Sequence, residues 1–337
     1  MLLARFRRNL LIAALLAAVP APAAAADTVK LAAITRTVFY VPLWVAMHRG
    51  FLTDQGLDVQ VTFFDNAGHT DEMLRTNQMQ LVLRSPEASM MDAYRGGSLR
   101  VIAGGVSRLP HFIIAQPRIK TLEQLRGANF GVLSEKEGTT YIVQDIAKAL
   151  GFTPSDYKIT VVGGSPTRWK LLQEGKIDVG LQPIPNSYEA EAAGFTNLGS
   201  AINFVPDWQF TSVNVDEKWA EPHRDTVVRF LTGLQRGRDF MRTNPAESAA
   251  IAAEELHTRN DLAVRMLADV EKYGMLDTQT ALNIPGLQRV FETLVKSGDI
   301  AADKKFDPKI FVDSSYWEES HAEPALTGTV PAPRARQ

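Results

Sequence analysis

The chain contains no cysteine. That absence excludes structural disulfides, thiolate nucleophiles and cysteine–zinc sites. It also excludes a lipid anchor on a cysteine at a leader cleavage site. Histidine is sparse, and His48, His69, His111, His223, His257 and His321 show no metal-ligand spacing. A histidine-rich metal-capture protein is not indicated, and no metal or other cofactor is expected. No Gly-x-Gly-x-x-Gly and no Gly-x-x-x-x-Gly-Lys-Ser/Thr occurs, and Gly163-Gly164-Ser165 alone is no nucleotide loop. Glu254-Glu255 and Glu318-Glu319 read as solvated helix faces rather than acid–base pairs. An excess of positive charge is missing too. The formal net charge is −2, which leaves no basic footprint for nucleic acid.

What is present fits a globular protein. Apolar residues make up 45% and charged residues 22%, which argues against disorder and against a multispan membrane protein. A length of 337 residues allows two domains. Arg5, Arg7 and Arg8 precede an apolar run, Leu10 to Val19, of about ten residues, which is too short to span a bilayer. Pro20-Ala21-Pro22 breaks the run, and Ala24-Ala25-Ala26 offers small residues for cleavage before Asp27. Residues 1–26 therefore read as a cleaved secretory signal peptide. Arg7-Arg8 hints at twin-arginine export, but the flanks suit the general route better. Loss of the leader's three arginines takes the formal charge from −2 to −5.

Strands then alternate with helices. Pro42 suits a first helical position, and Gly50 suits the left-handed residue that ends that helix, with Phe51 packing back on it. Gly56 ends a second turn before an alternating strand, Leu57 to Phe64. With Val29–Ile34, Leu81–Leu83 and Leu99–Ala103 as further strands, and helices at His69–Gln78 and Pro86–Tyr94, the pattern predicts a parallel sheet with helices on both faces. A second series follows, with strands at His111–Ala115, Asn129–Leu133, Lys158–Val162 and Ile177–Leu181. Its helices are expected at 121–127, 139–150, 166–174 and 186–193. After about Ser212 the pattern is helical, with no obvious strand, and these helices are expected to pack back on the first unit. Gly105–Phe112 and Val205–Val215 would be the two crossings of a hinge. The gap between two such units is a default small-molecule site.

Several motifs resemble those of periplasmic solute-binding proteins of ABC importers, in the group for sulfonates, nitrate, taurine and thiamine-pyrimidine precursors. They are Pro42, Trp44, Ala46, Gly50-Phe51 and Gly56-Leu57, then Thr121-Leu122-Glu123-Gln124-Leu125-Arg126-Gly127, then Ala149-Leu150-Gly151, then Leu172 to Asp178. The similarity covers roughly residues 28 to 300. Each motif alone is weak, but their order and spacing are specific. The chain departs from the group at Asn77-Gln78-Met79-Gln80, where Gly-x-x-Asp is common, and at Arg84, where a small residue is common. The resemblance implies an α/β, two-lobed type II periplasmic-binding-protein fold with a two-crossing hinge. Each lobe would be a parallel-rich sheet flanked by helices. Lobe I is expected at residues 27–108 and 213–319, lobe II at 109–212, and a disordered tail at 320–337. It also implies a monomer in the periplasm, not a lipoprotein, that delivers a small solute to an inner-membrane permease with its ATPase.

In open α/β sheets, ligands sit beyond the carboxyl ends of the strands, against helix N-termini. Those ends nominate Thr35, Arg36, Phe39 and Tyr40, then Arg84, Ser85 and Pro86, then Arg108 and His111 beside Ser107. In the second unit they nominate Ser134, Gly138, Thr139 and Thr140, then Arg168 beside Ser165 and Thr167, then Gln182, Ile184 and Asn186. Trp208 joins them from the return crossing. Arg84 is the sharpest candidate, because a planar guanidinium suits a carboxylate, sulfonate or phosphate. Its bland alternative is a structural pair with Glu87 or another acid. Gly138-Thr139-Thr140 resembles the group's cleft loop, against plain helix capping. Phe39, Tyr40 and Trp208 could sandwich a flat ligand, though aromatics are more often core.

The leading expectation is capture of a small organic anion, a sulfonate or carboxylate, aromatic ones included, without catalysis. A pyrimidine or thiamine precursor is the alternative ligand. An enzyme on the same scaffold, desulfinase-like or decarboxylase-like, is the alternative class. The desulfinase type relies on a cysteine that this chain lacks. A periplasmic sensor role is a third class that the sequence does not separate from transport.

Overall fold

In a computed structural model, residues 26–64, 68–135 and 138–322 are described. The leader through residue 25 and the tail beyond 322 lie outside them. The tail expected from residue 320 begins instead as helix through His321.

Among the described residues, ten strands form two sheets. The first contains β1 (Asp27–Ile34), β2 (Leu57–Phe64), β3 (Leu81–Arg84), β4 (Leu99–Gly104) and β10 (Ser212–Asp216). The second contains β5 (His111–Ala115), β6 (Asn129–Val132), β7 (Lys158–Val161), β8 (Val179–Pro183) and β9 (Thr196–Ser200). Their orders are β2-β1-β3-β10-β4 and β7-β6-β8-β5-β9. β10 runs antiparallel to β3 and β4, and β5 runs antiparallel to β8 and β9. Each sheet is thus parallel-rich, as expected, with one reversed strand. The exception has a topological cause. The chain leaves the first sheet after β4 and enters the second as β5; it leaves the second after β9 and re-enters the first as β10. β10 enters, reversed, between β3 and β4, whereas β5 is laid down first and β8 and β9 later pair antiparallel on its two sides. β9 and β10 are not among the expected strands, and β10 occupies the end of the span read as a crossing.

The local stops behave as glycine chemistry requires. α1 (Val41–His48) has Pro42 in its first turn, where a missing N–H costs nothing. Gly50 adopts φ +73°, its N–H donates to Met47 O at 3.1 Å, and Phe51 N–H donates to Ala46 O at 2.8 Å. That pair of bonds is a Schellman closure. The Phe51 ring goes to Phe240 of α8 (Arg224–Thr243), 5.7 Å between centroids.

α2 (Thr70–Arg75) and α3 (Glu87–Tyr94) flank the first sheet, and α2 is shorter than its expected ten residues. α4 (Gly138–Ala149), α5 (Ser165–Gln173) and α6 (Asn186–Ala192) serve the second. Residues 121–127 hold only a 3-10 turn, at Glu123–Leu125. The C-terminal helices are α7 (Glu217–Ala220), α8, α9 (Pro245–Leu256), α10 (Asn260–Lys272), α11 (Ile284–Lys296) and α12 (Ser315–His321). They return to the first sheet: α8 and α9 pack on α1, α11 on α3, and α12 on α8 and β4. No helix among the described residues is long and apolar enough to cross a membrane.

Candidate functional site: a cleft between the two sheets

The carboxyl ends of the parallel strands in both sheets converge on one cleft with about 480 Å³ of empty space. Ile34, Thr35, Thr37, Phe39, Tyr40, Arg84 and Ser85 line it from the first sheet. His111, Leu133, Thr139, Gly164, Ser165 and Arg168 line it from the second, and Phe210 and Thr211 come from the return crossing. The reversed strands explain part of this set. The N-terminal end of an antiparallel strand lies beside the carboxyl ends of its parallel neighbours, so His111 pairs with Pro183 and Ser212 pairs with Arg84.

Two guanidinium groups are buried here. Arg84 closes β3 and is 2% exposed. Its Nη1 ion-pairs with Asp71 of α2, and its Nη2 donates to Ser89 Oγ at 3.1 Å. Ser89 donates onward to Asn214 Oδ1 at 2.9 Å. The acid partner is therefore Asp71, and Arg84 faces the cleft as well. Arg168, in the first turn of α5, donates from Nη2 to Ser165 Oγ at 3.1 Å and to Leu181 O at 2.5 Å. His111 is buried with its ring centroid 4.7 Å from Phe210 and 5.8 Å from Phe39. Burial, then the Arg168 charge, holds its pKa well below the ordinary imidazole value, so the ring is neutral at neutral pH.

Four buried polar atoms of the lining have no hydrogen-bond partner among the described residues: Thr35 Oγ1, Thr37 Oγ1, Arg84 Nε and His111 Nδ1. All four can donate, the imidazole nitrogen in one of its tautomers. An unmade bond at a buried polar group costs about 1–3 kcal/mol. The site therefore favours a guest that presents acceptors. Thr35 is also held at φ +58°, a backbone state that residues with a Cβ rarely adopt.

The sheets are closed on each other around this space. A Cβ placed on Gly164 would lie 2.3 Å from Thr35 Oγ1, so the end of β1 rests directly on the start of α5. Farther out, Arg289 of α11 pairs with Asp145 of α4 at 3.0 Å, and Tyr141 of α4 donates to Asp299 Oδ2 at 3.1 Å. Tyr188 of α6 bonds Asp269 of α10, under the Arg265 guanidinium.

Of the nominated residues, Thr35, Phe39, Tyr40, Arg84, Ser85, His111, Thr139, Ser165 and Arg168 line the cleft. The others lie elsewhere, each for a local reason. Arg36 turns outward to Glu255 and over the Phe63 ring. Pro86 is the buried N-cap of α3, and Arg108 is exposed on the first crossing. Thr140 donates to Ser134 O, which closes the turn into α4. Gly138 backs onto Glu87 and Phe210, where a Cβ would come within 3.3 Å of each. Gln182 and Ile184 are fully buried at the end of β8, and Asn186 opens α6. Trp208 is fully buried in the main core, so it forms no wall for a flat ligand. The aromatic set at the cleft is Phe39, Tyr40 and Phe210. Ile34, Thr37, Leu133, Gly164, Phe210 and Thr211 are the lining residues the sequence reading missed. Recognising β10 would have pointed to Phe210 and Thr211. Among the described residues, no group of three or more His, Asp or Glu is placed to hold a metal ion.

Known proteins share this architecture. The Bacillus subtilis protein YtlA, named as a binding protein, is 30% identical over 296 residues, 81% of this chain and 84% of its own. A Candida albicans 4-amino-5-hydroxymethyl-2-methylpyrimidine phosphate synthase is 21% identical over 63% of this chain and 66% of its own, so catalysts occur among the relatives. The solved periplasmic nitrate-binding protein NrtA of Synechocystis PCC 6803 superposes with a TM-score of 0.74 at 12% identity, covering 88% of each chain. The two-sheet arrangement is thus the periplasmic-binding-protein fold. Residues 39–248 match the NMT1/THI5-like family, and the chain belongs to it.

Proposed function

We propose that this protein is the periplasmic solute-binding component of an ABC importer and captures a small organic anion, a sulfonate or carboxylate. The observation that carries this reading is the cleft's donor set. Two buried guanidinium groups and four unpartnered donors face one cleft between the sheets. Hydrogen bonds from charged donors to an anion contribute about 1.5–3 kcal/mol each. Residues 27–108 with 213–319 would form one closing lobe and 109–212 the other, hinged at the two crossings. The signal-like leader fits export, and the loaded monomer would pass its solute to a permease.

The relationship to YtlA and to a nitrate-binding protein supports binding over catalysis. A pyrimidine precursor is the weaker reading, although a synthase is among the relatives. Phe39 and His111 meet Phe210 at 65° and 71°, so these rings offer no parallel slot for a flat heterocycle.

A thermal-shift panel tests the reading: methanesulfonate, taurine, nitrate, short carboxylates, aryl sulfonates and pyrimidines. A ligand at a hundred times its Kd adds about 2.7 kcal/mol of stability, which raises the midpoint by at least a few degrees. Shifts with anions alone are expected. Shifts with pyrimidines alone would overturn the anion assignment.

A further inference from the structure

Outside the cleft, C-terminal helices that pack with the first sheet reach across to two helices of the second. α4 presents one stripe to them. Gly138, Tyr141 and Asp145 are spaced i, i+3, i+7 and so share a helix face. Gly138 backs onto Glu87 of α3, where a Cβ would lie 3.3 Å from the carboxylate. The Tyr141 hydroxyl donates to Asp299 Oδ2, just past α11, at 3.1 Å. Asp145 pairs with Arg289 of α11 at 3.0 Å. Asp299 is itself fixed to the first unit. Ser297 Oγ donates to its carboxylate at 2.7 Å, and Arg95, just past α3, donates to its carbonyl at 3.2 Å. α6 is joined in the same way to α10. The Tyr188 hydroxyl donates to Asp269, and the Arg265 guanidinium lies 3.8 Å over the Tyr188 ring. Beside them, Phe112 of β5 meets Tyr273, at the end of α10, edge-on at 6.5 Å.

Both tyrosines give a hydroxyl proton to a carboxylate. Burial, then the neighbouring carboxylate, pushes each phenol pKa up, so both stay donors at any ordinary pH. Tyr141, Asp145 and Tyr188 are buried, and none of them lines the cleft. Their bonds to the first unit exist only while the lobes are together, and they touch no guest. A group that favours the closed state without touching the guest scales the apparent affinity by the closed fraction, whatever is bound.

We propose that α4 on α11 and α6 on α10 are two latches that set the resting balance between open and closed lobes. Through that balance they scale the affinity for every guest of the cleft by one factor. This rests on the two-lobe capture reading above, but not on the guest being an anion.

The test is single-molecule energy transfer across the cleft. The chain has no cysteine, so Asp58→Cys and Lys158→Cys, exposed on the outer strands β2 and β7 of the two sheets, take a dye pair selectively. In the unliganded protein, Tyr141→Phe with Tyr188→Phe should lower the closed-to-open ratio by at least about tenfold. Calorimetric titration with nitrate, methanesulfonate and taurine should then show every Kd raised by the factor by which the closed fraction falls. An unchanged energy-transfer distribution refutes the latches. A loss of affinity that differs from one anion to the next refutes an action through closure, because the tyrosines would then act on the guest. If no anion binds, the anion reading falls, and the unliganded distributions still decide the latches. Should the double variant not fold, Arg289→Gln, whose side chain is 43% exposed, opens the first latch alone and is read in the same way.

Discussion

Gly164→Ala separates closure of the cleft from folding. Gly164 sits at φ −65°, ψ 177°, a backbone state open to any residue, so the substitution carries no conformational strain of its own. Its obstacle comes from the other lobe. The new Cβ would lie 2.3 Å from Thr35 Oγ1, 2.9 Å from Cγ2 and 3.2 Å from Cβ. Thr35 follows β1 and is itself held at φ +58°, so it has little room to retreat. Overpacking of this kind costs about 1–3 kcal/mol. If the lobes separate in the unliganded protein, the cost falls on the closed, ligand-bound state. Anion affinity should then drop about 5- to 150-fold. Calorimetric titration reads the affinity, and a thermal scan of the unliganded protein should move little. Thr35→Gly removes the obstructing side chain at a position whose φ suits glycine. In that background Gly164→Ala should cost less than twofold. Equal losses in both backgrounds would refute the contact as the stop for closure.

Two further outcomes follow from the charges. Asp71→Asn leaves the buried Arg84 guanidinium without its ion partner, so the unliganded midpoint should fall while anion affinity rises by about two- to fivefold. Unchanged affinity in titration would mean that Asp71 does not compete with the ligand. His111 is held neutral in the fold, whereas its unfolded counterpart titrates near 6.5. The unfolded chain therefore binds a proton that the native ring refuses. Its stability contribution is whole above about pH 6.5 and falls as pH drops toward the lowered native value, by at most about 1.4 kcal/mol per pH unit. Urea unfolding of wild type against His111→Phe should show this slope in the wild type alone, and parallel profiles would contradict it.

The sequence was legible where one residue settles the local geometry. Gly50 and Gly56 take left-handed states that other residues avoid, so the stops of α1 and of the turn before β2 could be read directly. The C-terminal helices were legible from apolar periodicity, since each buries one face. β10 was not, because Ser212, Asn214 and Asp216 make it look like a polar loop. Its polarity is absorbed locally, with Asn214 Nδ2 donating to Ser212 O at 2.9 Å and Val82 O at 3.2 Å. β9, Thr196–Ser200, is a half-exposed edge strand containing Gly199, with no apolar alternation to reveal it. The strand-end rule reached Arg84, His111 and Arg168. It could not tell Trp208, a core residue, from Phe210 two positions on, because both lie in the irregular span before β10, where no strand period sets which side chain turns to the cleft. Gly164 was invisible as a contact, since its role depends on Thr35, 129 positions away in sequence.

Anion titration of Arg84→Ala tests the capture reading most directly, with Arg108→Ala as an exposed control. Hydrogen bonds from a charged donor contribute about 1.5–3 kcal/mol each, so Arg84→Ala should weaken binding by at least about tenfold, while Arg108→Ala binds like wild type. Both variants should show a cooperative unfolding transition without ligand. Undiminished affinity in folded Arg84→Ala would take Arg84 out of the site and contradict an anion held between the two sheets at the end of β3.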